Sequence, residues 1–357
     1  MASFDVIFIG GGPAGYVGAI RSAQLGMSVA VIEREALGGT CVIWGCIPAK
    51  ALLEAASIAT KVQHAADFGV NVGEVKLDFG VAMQRSRAIS TQNSKGVGFL
   101  FKKHKITHIM GTGKLTGKNS VTVKTADGKE EKHDAKKAVV ISTGSRVKGL
   151  PQAGLELNKT TVISSDEALV LEKAPKTMAI VGAGAVGCEF ADVFNAFGTQ
   201  VTLIEALPAI LPVEDADSSA ELAKAFKKRK IEVLTGAKIT DVKIGKSSVK
   251  FSVESGGKKQ ELEVEKVLVA AGRAPNVEEV GLKESGVQLT DRGFIKINEK
   301  METSAKGIYA IGDVAGPPML AHKGSREGVV LAELLAGQKH VHLVNYNNIP
   351  GATYCHP

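Results

Sequence analysis

Gly10-Gly11-Gly12-Pro13-Ala14-Gly15 follows an apolar, β-branched run, Phe4 to Ile9, and opens a helical pattern. The run reads as a buried parallel strand. Gly10, Gly12 and Gly15 have the spacing GxGxxG. In that pattern the first glycine makes the tight turn, the second lets the backbone approach a pyrophosphate, and the third lets the helix pack close to the strand. The helix then turns free N–H groups and a partial positive charge toward the phosphates. Ser28 to Ile32 reads as the second strand and ends at Glu33, 23 residues after Gly10. A carboxylate there is placed to accept hydrogen bonds from a ribose. The unit recurs: Lys176 to Val181 leads into Gly182-Ala183-Gly184-Ala185-Val186-Gly187, and Gln200 to Ile204 ends at Glu205, again 23 residues after the first glycine. Two copies at one spacing predict an α/β chain with two Rossmann-like, three-layer nucleotide-binding domains. Ala206-Leu207-Pro208 follows the second acid, without an arginine to pair with a 2′-phosphate. The acid also repels such a phosphate, which favours NAD over NADP.

Soon after the first fingerprint comes Gly38-Gly39-Thr40-Cys41-Val42-Ile43-Trp44-Gly45-Cys46-Ile47-Pro48-Ala49-Lys50, with two cysteines five positions apart. On a regular helix such residues have Cα atoms roughly 8 Å apart, and a disulfide needs less than about 7 Å. A bridge between Cys41 and Cys46 therefore requires a distorted first turn, for which Gly45 supplies freedom. The helix continues through Ala49 to about Val62, and its N-terminus stabilises a thiolate. Three readings are open: a redox dithiol, a structural disulfide, or half of a zinc site. No second Cys/His pair has ligand spacing, and His64 and His104 read as surface residues, so no metal is expected.

The chain has 357 residues, enough for two or three domains with substantial cores. A 44% apolar and 23% charged composition is ordinary for a soluble globular protein. The net charge of +7 is spread over scattered lysines such as Lys102, Lys103 and Lys105. No basic stripe with interleaved aromatics occurs, so no nucleic-acid partner is expected. Four cysteines (Cys41, Cys46, Cys188 and Cys355) do not make a disulfide scaffold. Phe4 to Ile9 is too short to span a bilayer, and the start lacks signal-peptide character. The expectation is a cytoplasmic protein with no membrane partner.

Between the repeats, a helix is expected around 79–103 and hairpin strands at 106–115 and 120–125, with a turn at Asp127-Gly128. Ala138 to Ser142 reads as a buried strand ending in Thr143-Gly144-Ser145, small residues that let the backbone close over a nucleotide. Val269 to Arg273 echoes it in the second unit. That unit is also expected to hold a helix over 216–229 and a hairpin near Ser255-Gly256-Gly257. Gly307 to Asp313 reads as a strand ending in Gly-Asp, where the aspartate either binds a cofactor polyol or ribose or caps a turn. Met319-Leu320-Ala321-His322 leads into a helix to about Ala336. Val344 to Tyr354 reads as the opening of a further element, with Cys355 and His356 in its first strand.

Together these motifs closely resemble the flavin-linked pyridine nucleotide–disulfide oxidoreductases over essentially the whole chain. The resemblance rests on the first GxGxxG, on GGTCxxxGCxPxK as Gly38 to Lys50, on the second GxGxxG followed by Glu189, on Ala271-Gly272-Arg273 and on Gly312-Asp313. Cys-Ile-Pro-x-Lys with Glu205 looks like the dihydrolipoamide branch. The resemblance implies that Cys41 is the interchange thiol and Cys46 the thiol beside the flavin, forming a charge-transfer thiolate, with Lys50 and Glu189 an ion pair near the flavin. It places FAD at Gly10, Gly12, Gly15, Glu33, Gly39, Thr40, Lys50, Thr143, Gly144, Ser145, Asp313 and Ala321, and NAD at Gly182, Gly184, Gly187, Glu205 and Gly272. Ile43 and Trp44 depart from many relatives, which carry an asparagine and a smaller or basic residue there.

The resemblance further implies an FAD-binding and central region over 1–148 and 276–347, an NAD-binding domain over 149–275, and at 348–357 the stub of an absent dimerisation domain. In relatives that domain donates a His-Glu base to a homodimer partner. Low activity is therefore expected of this chain, as is the possibility of a monomer. The implied partner is dihydrolipoamide on a lipoyl domain of a 2-oxo acid dehydrogenase or glycine cleavage complex. Reduction of another disulfide or a metal substrate, or a non-catalytic cofactor-binding role, is the alternative.

Overall fold

The computed structural model describes residues 2–356. They form two compact units: residues 2–43, 90–146 and 274–350, and residues 44–89, 147–273 and 351–356.

In the first unit five strands lie parallel in the order Thr107–Met110, Val29–Glu33, Ala2–Ile9, Glu130–Ile141 and Ile308–Ala310. Ile9 is in register with Ile32 on one side and Ile141 on the other, and Ile141 with Ala310. The carboxyl ends thus align, which brings Gly10, Glu33, Thr143 and Asp313 to one edge, the edge where open α/β sheets bind ligands. The near-continuous apolar runs follow from burial on both faces: Ile7, Val31, Val139 and Val140 are all fully buried. The helices Pro13–Gln24 and Ala321–Leu335 pack against each other.

The strand Glu130–Ile141 is much longer than the expected Ala138 to Ser142, because its first half pairs antiparallel with Ser120–Lys124. The expected strand at 106–115 is instead two strands. At Gly111 the backbone turns with φ +155°, and an added Cβ would lie 2.7 Å from the Lys124 carbonyl oxygen. Thr107–Met110 runs parallel to Val29–Glu33, while Thr112–Leu115 turns to pair antiparallel with Ser120–Lys124.

The second unit repeats the plan. Its parallel strands are ordered Glu232–Leu234, Gln200–Ile204, Thr177–Val181, Lys266–Val269 and Val162–Ile163. An antiparallel meander joins Lys238–Ile244, Val249–Ser255 and Lys258–Val264, with the hairpin at Gly256-Gly257 as expected. The helix Ala185–Ala196 follows the second fingerprint, and Ala216–Lys228 is capped by Asp215, whose carboxylate accepts from the N–H groups of Asp217 and Ser218.

One assignment differs from the sequence division, in which 44–89 belonged to the first domain. In the structure the helix Cys46–Gln63 buries Leu52, Leu53 and Ala56 in the core that also contains Phe190 and Phe194 of the second unit. Thr40–Gln63 is long and apolar enough to cross a membrane by length and composition. Its apolar face is used here to fill that core. The helix Phe79–Lys103 forms as expected.

Candidate active site

The two fingerprints superimpose in chemistry, glycine by glycine. Gly10 has φ +111°, and a Cβ on it would meet the Ser142 carbonyl oxygen at 2.2 Å; Gly182 has φ +102°, with the Ala270 oxygen at 2.7 Å. On Gly15 a Cβ would lie 2.0 Å from the Gly10 oxygen, and on Gly187 it would lie 1.8 Å from the Gly182 oxygen. These four positions are glycine because the chain itself leaves no room. The middle glycines are different. Among the described residues, and apart from its own chain neighbours, nothing lies within 4 Å of a Cβ on Gly184, and the nearest atom to one on Gly12 is the Gly39 Cα at 3.8 Å. Space is kept at the helix N-terminus in front of both, which is the cradle a pyrophosphate requires.

The strand-end acids are held alike. Glu33 accepts from the Gly11 N–H at 2.8 Å and the Glu35 N–H at 3.0 Å. Glu205 accepts from the Ala183 N–H at 2.7 Å and the Leu207 N–H at 2.9 Å. Each carboxylate is thus held by the second residue of its own fingerprint, with lone pairs to spare for a ribose. In the first unit a pocket is lined by Gly10, Glu33, Gly111, Thr143 and Asn276. Thr143 donates through its hydroxyl to the Asn276 carbonyl at 2.7 Å, and the Asn276 N–H donates to Gly144 at 3.0 Å. Ser145 donates to Asp313 at 2.6 Å. Gly39, with φ +56°, lies against Gly12, where an added Cβ would come within 2.6 Å of the Gly12 Cα. Thr40 begins the cysteine turn and Ala321 opens the last long helix. In the second unit a cavity of about 560 Å³ is lined by Pro208, Ile210, Ala223, Lys227 and Thr235, within the size range of small-molecule sites. Gly272, with φ +117°, is exposed at the end of its strand.

Thr40–Trp44 forms a π-helical turn, and Gly45 then adopts φ −152°, ψ −109° before the α-helix starts at Cys46. This is the distortion the cysteine spacing demands, and Cys41 and Cys46 are joined in a disulfide. Neither cysteine is fully buried. Lys50 lies one helical turn after Cys46, on the same face. Its ammonium donates to both Glu189 oxygens, at 2.7 and 2.8 Å. Glu189 is buried and Lys50 half-buried, so the carboxylate is the fixed partner and the ammonium the one that reaches solvent.

A family profile described as pyridine nucleotide-disulphide oxidoreductase matches residues 4–328. The chain belongs to this family. Among its relatives is a dihydrolipoyl dehydrogenase of Rhizobium etli, 44% identical over 370 residues, covering 99% of this chain and 76% of the relative. Another is that of Mycobacterium tuberculosis, 44% identical over 358 residues, covering 100% and 76%. The chain thus spans about three quarters of the length of these relatives. Among solved structures, LpdA from Mycobacterium tuberculosis aligns with a TM-score of 0.91 at 24% identity, over 99% of this chain and 76% of that one. The flavoprotein disulfide reductase RclA from Escherichia coli aligns with 0.83 at 24% identity. Both show the shared fold.

This pyridine nucleotide–disulfide oxidoreductase also carries features that sequence reasoning passed over. Ser86, Ser90 and Ser94 recur every fourth residue on one helix face. Their hydroxyls donate to the carbonyls of Pro48 (2.9 Å), Val42 and Leu37 (2.7 Å). They satisfy carbonyls in and beside the cysteine stretch. The four-residue spacing was the available signal. Trp44 places its ring 4.7 Å from the Arg87 guanidinium, a cation–π contact.

In the C-terminal segment a short 3-10 turn, Tyr346–Asn348, is followed by chain without strand pairing among the described residues. The Tyr354 N–H donates to Glu189 at 3.1 Å and the His356 N–H to Asp192 at 2.6 Å. Arg229 clamps Asp192 at 2.6 Å and donates to the His356 carbonyl at 3.3 Å. The Tyr354 ring lies 4.8 Å from the Lys50 ammonium. His322 points its Nε2 at the Pro350 carbonyl, 2.8 Å away.

Cys188 and Cys355 are free thiols. Burial, reinforced by Glu189 and Glu205, pushes Cys188 up to about 12. Burial raises Cys355 as well. Burial thus keeps the Cys188 thiol protonated between pH 7 and 9, and the side chain is 0% exposed. Iodoacetamide at pH 7 to 9 is therefore expected to leave Cys188 unmodified in the folded protein. Peptide mapping after alkylation checks this, and rapid labelling of Cys188 at pH 7 would contradict it.

Proposed function

We propose that the chain oxidises dihydrolipoamide with NAD+ through the Cys41–Cys46 disulfide, as the names of its relatives indicate for them. The observation that carries the reading is the disulfide itself, set on a widened turn at the N-terminus of a helix that also bears Lys50. A substrate thiolate attacks the Cys41 sulfur, the bond to Cys46 breaks, and Cys46 leaves as thiolate. The better-stabilised thiolate is the faster leaving group, and the helix N-terminus favours negative charge at Cys46. The second substrate thiol then displaces Cys41, releasing the oxidised cyclic disulfide and leaving both cysteines reduced. FAD, when bound, supplies the two-electron relay from this dithiol to NAD+, which departs as NADH. Glu189 fixes the Lys50 ammonium, whose residue lies one helical turn after Cys46, and positive charge on that turn favours the Cys46 thiolate. Glu33 and Asp313 would hold FAD and Glu205 would hold NAD, each through a carboxylate already oriented by backbone or serine donors.

The partner that brings the dithiol is a lipoyl domain of a 2-oxo acid dehydrogenase or glycine cleavage complex, and the complete assembly is a homodimer. The test is turnover of dihydrolipoamide with NAD+, set against NADH-driven reduction of glutathione disulfide and of mercuric ion. Dihydrolipoamide is expected to exceed both, and NADP+ to be poorer than NAD+ by about 100-fold in kcat/KM, since a 2′-phosphate would meet the Glu205 carboxylate. Reduction of glutathione disulfide without any lipoamide turnover would sink the proposal.

A further inference from the structure

The turn before Asp313 is held by groups the reaction itself does not use. The Gly312 N–H donates to Glu327 Oε2 at 2.6 Å, and the Lys323 ammonium donates to the Gly312 and Gly316 carbonyls at 2.9 and 3.0 Å. Lys323 and Glu327 lie 3.4 Å apart and are each 1% exposed. The Tyr346 hydroxyl donates to Glu327 Oε1 at 2.8 Å. Gly312 has φ +76°, with Ala14 in the way of any side chain.

We propose that Tyr346, Glu327 and Lys323 form a positioning relay that sets the Gly312–Asp313 peptide for the polyol chain of FAD. The inference rests on the reading of Asp313 as a flavin-site residue. A buried ion pair is a poor way to gain stability, since an apolar pair of similar volume serves as well or better. This pair instead directs its hydrogen bonds to the two peptides that flank Gly312. The carboxylate takes the N–H of Gly312, which belongs to the Ile311–Gly312 peptide, and the ammonium takes its C=O, which belongs to the Gly312–Asp313 peptide, so both planes are held and Asp313 leaves the turn in one direction toward Ser145. Tyr346 closes the relay from outside. It belongs to a segment beyond the helix that carries the pair, and it fixes the second carboxylate oxygen. Burial pushes the Glu327 carboxyl up, and Lys323, Gly312 and Tyr346 offset this only in part. The ionised form thus depends on all three partners.

Tyr346 is 39% exposed, so Tyr346→Phe removes the hydroxyl without opening a core cavity. In the holoprotein, FAD release followed by the rise in flavin fluorescence is expected to accelerate about tenfold in Tyr346→Phe and more in Glu327→Gln. Melting of the FAD-stripped Tyr346→Phe protein is expected to match that of the stripped wild type. Asp313→Ala serves as the control and is expected to release FAD faster than either variant. Wild-type release from Tyr346→Phe and Glu327→Gln, with fast release from Asp313→Ala, would overturn the relay. So would a Tyr346→Phe defect confined to melting of the stripped protein. Unchanged release from Asp313→Ala would overturn the flavin reading of Asp313 and the relay with it.

Discussion

Gly187→Ala is expected to leave the second unit unable to fold as described, while Gly184→Ala, three residues away, folds normally and fails to bind NAD(H). The contrast follows from what each added methyl would meet. On Gly187 it would lie 1.8 Å from the Gly182 carbonyl oxygen, so strand and helix must separate. The oxygen is backbone and the methyl is fixed to its Cα, so neither can swing aside. The cost exceeds ordinary overpacking of about 1 to 3 kcal/mol. On Gly184 the methyl meets nothing within 4 Å, so the folded chain tolerates it. It occupies the space a pyrophosphate needs, and NADH affinity is expected to fall by at least about 100-fold. Thermal melts and NADH titrations of the two variants check both halves. A Gly184→Ala protein that binds NADH normally would show that the open space is not the phosphate site.

Cys41→Ser and Cys46→Ser are each expected to lower dihydrolipoamide oxidation by about three orders of magnitude or more, because members of one reacting unit fail together. Neither serine can form or receive the disulfide, so no electrons leave the substrate. Both side chains are small and only part-buried, so folding and FAD content should persist. The variants should differ in one respect. In Cys46→Ser the remaining thiol lies in the π-helical turn, and in Cys41→Ser it lies at the helix start. The Cys46 thiol should therefore form thiolate at lower pH, read from the pH dependence of alkylation. Residual turnover above a few per cent in either variant, or equal thiol pH profiles, would contradict the division of roles.

Much of this was legible because glycine and cysteine constrain backbone in ways that spacing alone reports. The positions of Gly10, Gly15, Gly182 and Gly187 encode close backbone approaches, and the five-residue cysteine interval encodes a turn that no regular helix supplies. Glu33 and Glu205 were located by distance along the chain, and each sits at its strand end, bonded to its own fingerprint. What escaped depended on tertiary partners. Gly111 splits an apparently continuous strand because the Lys124 carbonyl lies against it. Ser86, Ser90 and Ser94 read as ordinary helix residues until the carbonyls they satisfy are in place. The N–H groups of Tyr354 and His356 go to two carboxylates on a helix more than 150 residues earlier, a pairing that spacing does not report.

The strand Ile308–Ala310 completes the parallel sheet of the first unit by pairing with Val139–Ile141. During synthesis that sheet lacks its fifth strand until Ile308–Ala310 has left the ribosome. The uninterrupted stretch 147–273 supplies all five parallel strands of the second unit's sheet much earlier. Pairings between distant segments carry the larger loop-closure cost and form late. Of the two parallel sheets, the one that begins first is therefore the one completed later. Until then the exposed edge of Glu130–Ile141 is the place where a nascent chain is most open to pairing with the wrong strand.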